Sequence, residues 1–316
     1  MNRIGIVVVA YNSEREIGRC LDSLPAGVET VVVDNASRDG TRREVANRRA
    51  VRLIANPWNR GFAAAANQGI GALDCDLALL LNPDVELVSG LDSLASQCAL
   101  AGVAAAGGKL LGEDGCSQAG FMVRRLPRPL TLAFETLGLN RLFPRNPVNR
   151  RYRYFDLDPD AEASVEQPAG AFLMIRRDVW RQLGGFDESF FPVWFEDVDF
   201  AKCAAMAGYT MRYSPLAVAK HSGAHSVGQL PRPTRDLYWY GSLLKYAGKH
   251  FARDGVVVVC ACVVVGSVLR ALLCLPRERR LEAFYGCARI IRLAGVQLSS
   301  GRFGKDSYIS SAFAVQ

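Results

Sequence analysis

The sequence predicts an α/β protein in which helices cover a parallel sheet, followed by a helical segment of membrane character. Three observations carry this. Short apolar runs rich in β-branched residues alternate with helix-like segments through the first 110 residues. Each run ends in polar residues, and a twenty-residue apolar stretch, Val256–Leu275, stands among basic residues further on. The chain has 316 residues, and a prior of roughly 150 per domain implies one large or two unequal domains. The shift in composition near residue 230 divides it into 1–227 and 228–316.

The runs Ile4–Val9, Val28–Val33, Val51–Ile54, Leu77–Leu81 and Val103–Ala106 are short, mostly apolar and rich in β-branched residues. That pattern suits strands buried on both faces. After the first run, Ser13 and Glu16 form a capping-box pattern, with Ile17, Leu21 and Leu24 on one helical face. The strands end in Tyr11-Asn12-Ser13, Asp34-Asn35, Asn56 and Asn82-Pro83-Asp84. Ligands of open α/β sheets bind beyond the carboxyl ends of the strands, so the polar residues gather where a site is expected. Residues 112–165 are rich in Arg and Pro and poor in periodicity. They read either as a solvated excursion or as a loop that grips an anionic acceptor. Order resumes with a strand at Ala171–Ile175, a helix at Arg177–Leu183, and helical spacing of Val198, Ala201 and Ala205. Strands follow near Thr210–Tyr213 and Ala217–Ala219.

Half the residues are hydrophobic and 22% are charged, which excludes a disordered or fibrous chain. Nine cysteines contain no CxxC pair, so reduced thiols are expected rather than a disulfide framework or a Cys-based zinc site. The apolar run at Ile4–Ala10 is seven residues long and lacks a small-residue cleavage site; it reads as a strand, not an export signal. Charge is uneven. From Gly228 onward there are 13 Lys+Arg against 5 Asp+Glu, whereas residues 1–227 carry 25 against 26. A nucleic-acid enzyme would place its positive field around the site; here it accompanies the most apolar stretch. That combination points to an anionic membrane surface and away from nucleic acid.

The stretch Val256–Leu275 is just long enough to span a bilayer. Lys245, Lys249 and Arg253 precede it, and Arg277, Arg279 and Arg280 follow. With the first part cytosolic, a single span would export a positively charged tail, against the positive-inside rule. An in-plane helix avoids that conflict; a true span and a buried or oligomer-forming helix are the alternatives.

A dinucleotide-binding turn is excluded, because G-x-G-x-x-G is absent between the first strand and helix. Three other features bear on chemistry. Asp84, just past a buried strand, can hold a divalent cation through its carboxylate, or Asn82-Pro83-Asp84 is a plain turn with a helix cap. Glu196, Asp197 and Asp199 crowd a helix start. They either favour the helix dipole or raise one carboxylate's pKa toward that of a general base. His221 and His225 flank Ser222-Gly223-Ala224 and are either surface histidines or contributors of an imidazole to a metal such as Mn²⁺.

In this order and on this strand pattern, the chain resembles the inverting glycosyltransferases of family 2, and more narrowly their rhamnosyltransferase-type branch. The resemblance covers about residues 3–225. Its segments are Val8-Val9-Ala10-Tyr11-Asn12, Val31-Val32-Val33-Asp34-Asn35-Ala36-Ser37, Asn59-Arg60-Gly61-Phe62 leading to Asn67, and Leu80-Leu81-Asn82-Pro83-Asp84. Gly170-Ala171-Phe172, Gly184-Gly185-Phe186-Asp187-Glu188, Glu196-Asp197-Val198-Asp199 and His221 complete the series.

The resemblance implies a GT-A fold: a Rossmann-like mixed, mostly parallel sheet flanked by helices, here with a C-terminal helical membrane-associated segment. It makes 1–227 the catalytic domain and implies that Asp34 reads a pyrimidine edge, with Ala10, Tyr11, Asn12 and Asn35 lining that pocket. Gly61, Asn67 and Asn82 would lie near the nucleoside or its diphosphate. Asp84 matches the last Asp of the family's D-x-D, Asn82 replaces the first, and His221 falls where relatives place a further metal contact. The cofactor would be Mg²⁺ or Mn²⁺. Asp197 matches the catalytic base, with Glu196 beside it, while Gly170, Ala171 and Trp194 would face the sugar or acceptor.

The implied reaction moves a sugar, rhamnose from dTDP-rhamnose, onto a lipid-linked or cell-surface saccharide precursor. It would take place at the cytoplasmic face of the plasma (inner) membrane, with the enzyme peripheral or monotopic. UDP-galactofuranose or UDP-N-acetylhexosamine donors are the alternatives within the class. A catalytically silent nucleotide- or saccharide-binding membrane partner is the alternative outside it. Oligomeric state is not readable from the residues.

Overall fold

The computed structural model describes residues 2–223, 228, 230–274 and 280–300. His225, Arg277, Arg279 and the chain beyond residue 300, all named above, lie outside the described residues, as does the side chain of Arg280. The chain forms two compact units. The first comprises residues 1–126, 153–188 and 196–229; the second comprises 127–152, 189–195 and the described residues from Leu230 onward.

The first unit is a nine-stranded mixed sheet. In chain order its strands are β1 (Ile4–Ala10), β2 (Glu29–Asp34), β3 (Val51–Ala55), β4 (Leu77–Leu81), β5 (Val85–Ser89) and β6 (Val103–Leu111). A short β7 (Val123–Arg124) pairs with β9 (Gln167–Pro168), apart from the main sheet. The main sheet is completed by β8 (Ala163–Val165), β10 (Phe172–Arg176) and β11 (Thr210–His221). The spatial order is β3-β2-β1-β4-β10-β6-β11-β5, with β8 also pairing on β11. Strands β1 to β4, β6 and β11 run one way and β5, β8 and β10 the other, so the sheet is mixed and mostly parallel, as expected.

The continuous apolar runs do what their composition dictates. Val7, Val8, Val31 to Val33 and Leu79 to Leu81 are wholly buried, each side chain contributing on the order of 1.5–3 kcal/mol. Helices α1 (Ile17–Asp22), α2 (Thr41–Ala46), α3 (Phe62–Ala72) and α4 (Leu91–Cys98) connect the early strands. Close packing of α3 on β1 requires Gly69: a Cβ there would lie 2.4 Å from Val7 Cγ1. The α3 C-terminus is held by the buried Arg177, whose guanidinium donates to the carbonyls of Ile70 and Gly71. That places a cation where the helix dipole favours one.

Two local expectations change. The predicted strands Thr210–Tyr213 and Ala217–Ala219 are one strand, β11, interrupted by a register shift between Ser214 and Val218. Val85–Ser89, directly after Asn82-Pro83-Asp84, is a strand paired antiparallel with β11 rather than a helix start. Helices α8 (Arg177–Gln182) and α9 (Glu196–Met206) follow the predicted positions. The eight cysteines whose side chains are described are free thiols.

The second unit is helical. It contains α5 (Pro129–Thr136), α6 (Leu139–Leu142), α7 (Pro147–Tyr152), α10 (Arg232–His250), α11 (Arg253–Cys274) and α12 (Arg280–Ser300). Among the described residues, α11 is the one helix long and apolar enough to cross a membrane. One side of it is packed: Val259, Cys260, Val263 and Ser267 are buried, and a Cβ at Gly266 would meet the Thr136 carbonyl of α5 at 2.1 Å. Arg270, the charged residue within its apolar stretch, is held internally: it donates to the Thr136 carbonyl and Ser267 Oγ and lies over the Tyr240 ring. The other side exposes Val258, Val265, Val268, Leu269 and Leu272. Residues 189–195 join this unit through Ser242 Oγ, which donates to the Val193 carbonyl, and through the Lys245 ammonium, which donates to Ser189.

Candidate active site

Three carboxylates of the first unit, the buried Asp34 and the half-buried Asp84 and Asp197, each have a different environment. Asp34 ends β2, next to the end of β1 by parallel pairing of Ala10 with Asp34. It is fully buried. Its Oδ2 accepts from Arg42 Nε at 2.5 Å and from the Ser37 amide at 3.2 Å, while Oδ1 has no partner among the described residues. Arg42 is fixed in turn by donating to the Asn56 carbonyl at the end of β3. The neighbouring Asn35 amide stitches the next loop. It donates to Asn59 and the Gly61 carbonyl and accepts from Asn56 and the Arg60 amide. Asn12, at a left-handed φ of 50°, donates its amide to Ser37 and accepts from the Arg38 amide. Ala10, Asn12, Asp34, Asn35 and Gly61 are therefore brought together, with Tyr11 half-buried in the same turn. An orphaned buried carboxylate oxygen facing this cluster calls for an N–H donor from a ligand.

The second carboxylate is placed by the β5–β11 pair. Val85 pairs with His221, and Ser222 donates both its amide and its hydroxyl to the Asp84 carbonyl. This sets His221 Nε2 3.7 Å from Asp84 Oδ2, with the two side chains only 5% and 7% exposed. Gln118 determines the state of the imidazole. Its Nε2 donates to the His221 carbonyl at 2.8 Å, so the carboxamide oxygen faces His221 Nδ1, also at 2.8 Å. That oxygen can only accept; Nδ1 therefore carries a proton, and Nε2 is turned toward Asp84. At 3.7 Å the contact is too long for a hydrogen bond. The Asp84 carboxylate accepts no hydrogen bond from the described residues. A carboxylate oxygen and an imidazole nitrogen set in this way suit two ligands of one divalent cation, with Gln118 as the outer support that fixes the imidazole's orientation. Asn82, beside them, donates its backbone amide to the Ala171 carbonyl. Its side chain makes no hydrogen bond within the described residues.

Asp197 occupies the first turn of α9. Its Oδ2 accepts from Gln167 Nε2 and the Gly170 amide, both at 3.0 Å, and Oδ1 accepts from the Val198 amide. Burial pushes this carboxyl above the ordinary range, while the Gly170 and Val198 amides and the charge of Arg124 pull it back. Gly170 is in contact because it has no side chain: a Cβ would lie 3.0 Å from Asp197 Cβ and 3.2 Å from Oδ2. Register in the β7–β9 pair sets Arg124 opposite Gln167. Phe121 ties this corner to the previous one, its ring stacked 5.0 Å from that of His221 and lying beneath the Arg124 guanidinium.

Not every expected residue converges. The Asn67 carboxamide is committed to the segment after α8, donating to the Phe186 carbonyl and Glu188 and accepting from Trp180 and the Phe186 amide. Glu196 is buried at the start of α9. Trp194 lies in the second unit at a left-handed φ of 78°, followed by Phe195 at 70°. Five residues were not anticipated: Arg42, Gln118, Phe121, Arg124 and Gln167. Of these, Gln118, Phe121 and Arg124 lie in the stretch read as irregular.

Comparison with known proteins identifies the family and the fold. A model of the family described as Glycosyl transferase family 2 matches residues 5–94. An N-acetylglucosaminyl-diphospho-decaprenol L-rhamnosyltransferase of Mycobacterium tuberculosis is 32% identical over 244 residues, covering 72% of this chain and 78% of that protein. The low-salt glycan biosynthesis hexosyltransferase Agl10 of Haloferax volcanii is 26% identical over 205 residues, covering 63% and 61%. Among solved structures, the mannosyltransferase PcManGT of Pyrobaculum calidifontis, in complex with GDP-Man and Mn²⁺, matches with a TM-score of 0.52 at 18% identity, over 95% of this chain and 88% of that one. The sheet is thus the GT-A sheet, and the chain belongs to glycosyltransferase family 2, where it is of the rhamnosyltransferase type.

Proposed function

We propose that this glycosyltransferase moves rhamnose from dTDP-rhamnose to a hydroxyl of a lipid-linked saccharide, by a single displacement that inverts the sugar's C1. The observation that carries the reading is the division of labour among the three carboxylates. Asp34, held by Arg42, offers its unpartnered Oδ1 to the N–H of a pyrimidine. Asp84 and His221 would hold Mg²⁺ or Mn²⁺, which when bound supplies the charge that stabilises the leaving diphosphate. Asp197 is the base. Gln167 and Gly170 donate to its Oδ2, whereas Oδ1 accepts the Val198 amide and keeps a further lone pair for the acceptor hydroxyl. As the acceptor oxygen bonds to C1, its proton passes to Asp197 and the C1–O bond breaks, its electron pair leaving with the nucleoside diphosphate. Asn67 enters this scheme as a clamp on residues 180–188, and Gly170 as the contact that sets the base.

Catalysis is assigned to residues 1–227 and attachment to the chain from 228, at the cytoplasmic face of the plasma membrane. The decaprenol-linked substrate in the name of the mycobacterial relative supports a lipid-linked acceptor. The form of α11 supports in-plane attachment: one side is packed on protein through Val259, Cys260, Val263 and Ser267, Arg270 is paired internally, and an apolar strip is left for the acyl boundary.

The test is release of nucleoside diphosphate by the purified chain over a panel of dTDP-, UDP- and GDP-sugars, with membrane lipid extract as acceptor source. Expected are release from dTDP-rhamnose, its loss with EDTA, and a fall of about 10³-fold or more in kcat for Asp197→Asn at unchanged donor affinity. Release from UDP-galactofuranose or a UDP-N-acetylhexosamine would keep the class and replace the donor. Donor binding without turnover on any acceptor fraction would favour a silent binding protein.

A further inference from the structure

The turn between α6 and α7 exposes two large apolar side chains in a setting that ought to bury them. Leu142 is 69% exposed and Phe143 64%. The turn is nevertheless tightly built. Asn140 donates to Glu135, and Asn146 donates to Asn140 Oδ1 and to the Phe143 carbonyl. The Asn149 side chain donates to the Pro144 carbonyl at 2.7 Å, and its amide donates to Asn146 Oδ1. Asn140 and Asn149 are buried. Three carboxamides therefore brace the backbone behind Leu142 and Phe143 and hold both side chains outward. Around them stand Arg141, Arg145, Arg150 and Arg151, all exposed. Between Glu135 and Asp156 the chain holds five arginines and no acid.

We infer that this turn is a second membrane contact, in which Leu142 and Phe143 enter the acyl boundary of an anionic bilayer while the surrounding arginines meet lipid phosphates. The inference rests on the reading of the second unit as membrane-attached, and it adds a contact remote in sequence from α11. Charge selects the occupant. A stretch of exposed arginines without an intervening acid repels a second copy of itself and suits a phosphate surface, and arginine pairs with phosphate oxygens through two parallel bonds. Rigidity suits the same partner, since a braced turn loses little conformational freedom on insertion.

The experiment is co-sedimentation of the full chain with phosphatidylcholine vesicles, with and without phosphatidylglycerol. The double variant Leu142→Ser/Phe143→Ser should bind anionic vesicles at least about tenfold more weakly than the parent. Arg145→Gln/Arg150→Gln/Arg151→Gln should lose the preference for anionic over neutral vesicles, and with it most of the salt dependence. All five positions are exposed, so thermal unfolding of both variants should match the parent. A double variant that binds as tightly as the parent overturns the turn's role and leaves α11 as the attachment. A parent chain that binds no vesicles overturns the membrane reading together with the turn. A parent dimer seen by light scattering and lost in the double variant, with vesicle binding unaltered, assigns the surface to a second copy instead.

Discussion

The corner of the site assigned to the nucleotide and the corner assigned to catalysis are assembled differently. At the first, Asn12 meets Ser37, and Asn35 meets Asn59 and Asn56, across separations of 21 to 25 residues. Each such step is one strand–helix repeat of a parallel sheet, so successive strand ends become neighbours by construction. At the second, Gln118 meets His221 across 103 residues. That contact depends on β11, which pairs in parallel with β6 and antiparallel with β5, and on a two-residue ladder between β7 and β9. A local repeat tolerates variation in any one turn, whereas the catalytic corner depends on a few long-range hydrogen bonds. Substitutions in those bonds are the way to test the contrast.

The largest effect in this series is expected from Gln118→Leu. Without the carboxamide, the hydrogen bond that orients the imidazole through Nδ1 is lost, and Mn²⁺ affinity measured by electron paramagnetic resonance should fall about 10- to 100-fold. Metal-free nucleotide binding should hold. Gln118→Glu keeps an acceptor for Nδ1–H and should recover part of the affinity. An unchanged Mn²⁺ affinity in Gln118→Leu would place the cation away from His221.

A smaller loss is expected for Gly170→Ala. The added methyl must push the Asp197 carboxylate by a few tenths of an ångström, and kcat should fall about tenfold with little change in donor KM. A rise in KM at constant kcat would show that Gly170 faces the donor and does not set the base.

The smallest effect concerns pH. Burial holds the Asp197 carboxyl above the ordinary carboxylate range, and a base must be deprotonated to act. Activity should therefore be present above that raised pKa and fall as pH drops through it, at higher pH than an exposed Asp would give. Gln167→Leu removes a hydrogen bond to the ionised form, so the acid limb of kcat should move to still higher pH, with a loss of only a few-fold at neutrality. A limb that stays in place would mean that Gly170 and Arg124 hold the charge without Gln167.

The same contrast explains what could be read from the amino acids alone. Strands β1, β2 and β4 were visible because burial on both faces leaves a nearly uninterrupted apolar run, and the polar residues at their ends followed from the βα repeat. Strand β5 was hidden because Asn82-Pro83-Asp84 reads equally well as a helix cap, and the pairing that makes Val85–Ser89 a strand comes from β11, where His221 faces Val85 from 136 residues further on. Gln118, Arg124 and Gln167 were out of reach for a related reason. A polar residue in a segment without period gives no local sign of the partner it will meet across the fold. Arg42 sits on α2 only eight residues after Asp34, yet an exposed arginine on a short helix is the commonest of surface features.

Modularity follows from the way the chain is threaded. It passes between the two compact units five times, at 126/127, 152/153, 188/189, 195/196 and 229/230. The last return to the first unit ends one residue before Asp197. A C-terminal truncation near residue 228 would therefore do more than clip an anchor: it would strand residues 127–152 and 189–195, whose packing partners are α10 and α11. The helical unit is consequently no cassette that recombination could append to a finished enzyme or remove from one. During synthesis, the segment bearing the base emerges before the helices on which its neighbours pack, so completion of the fold around residues 189–195 must wait for the C-terminal helices.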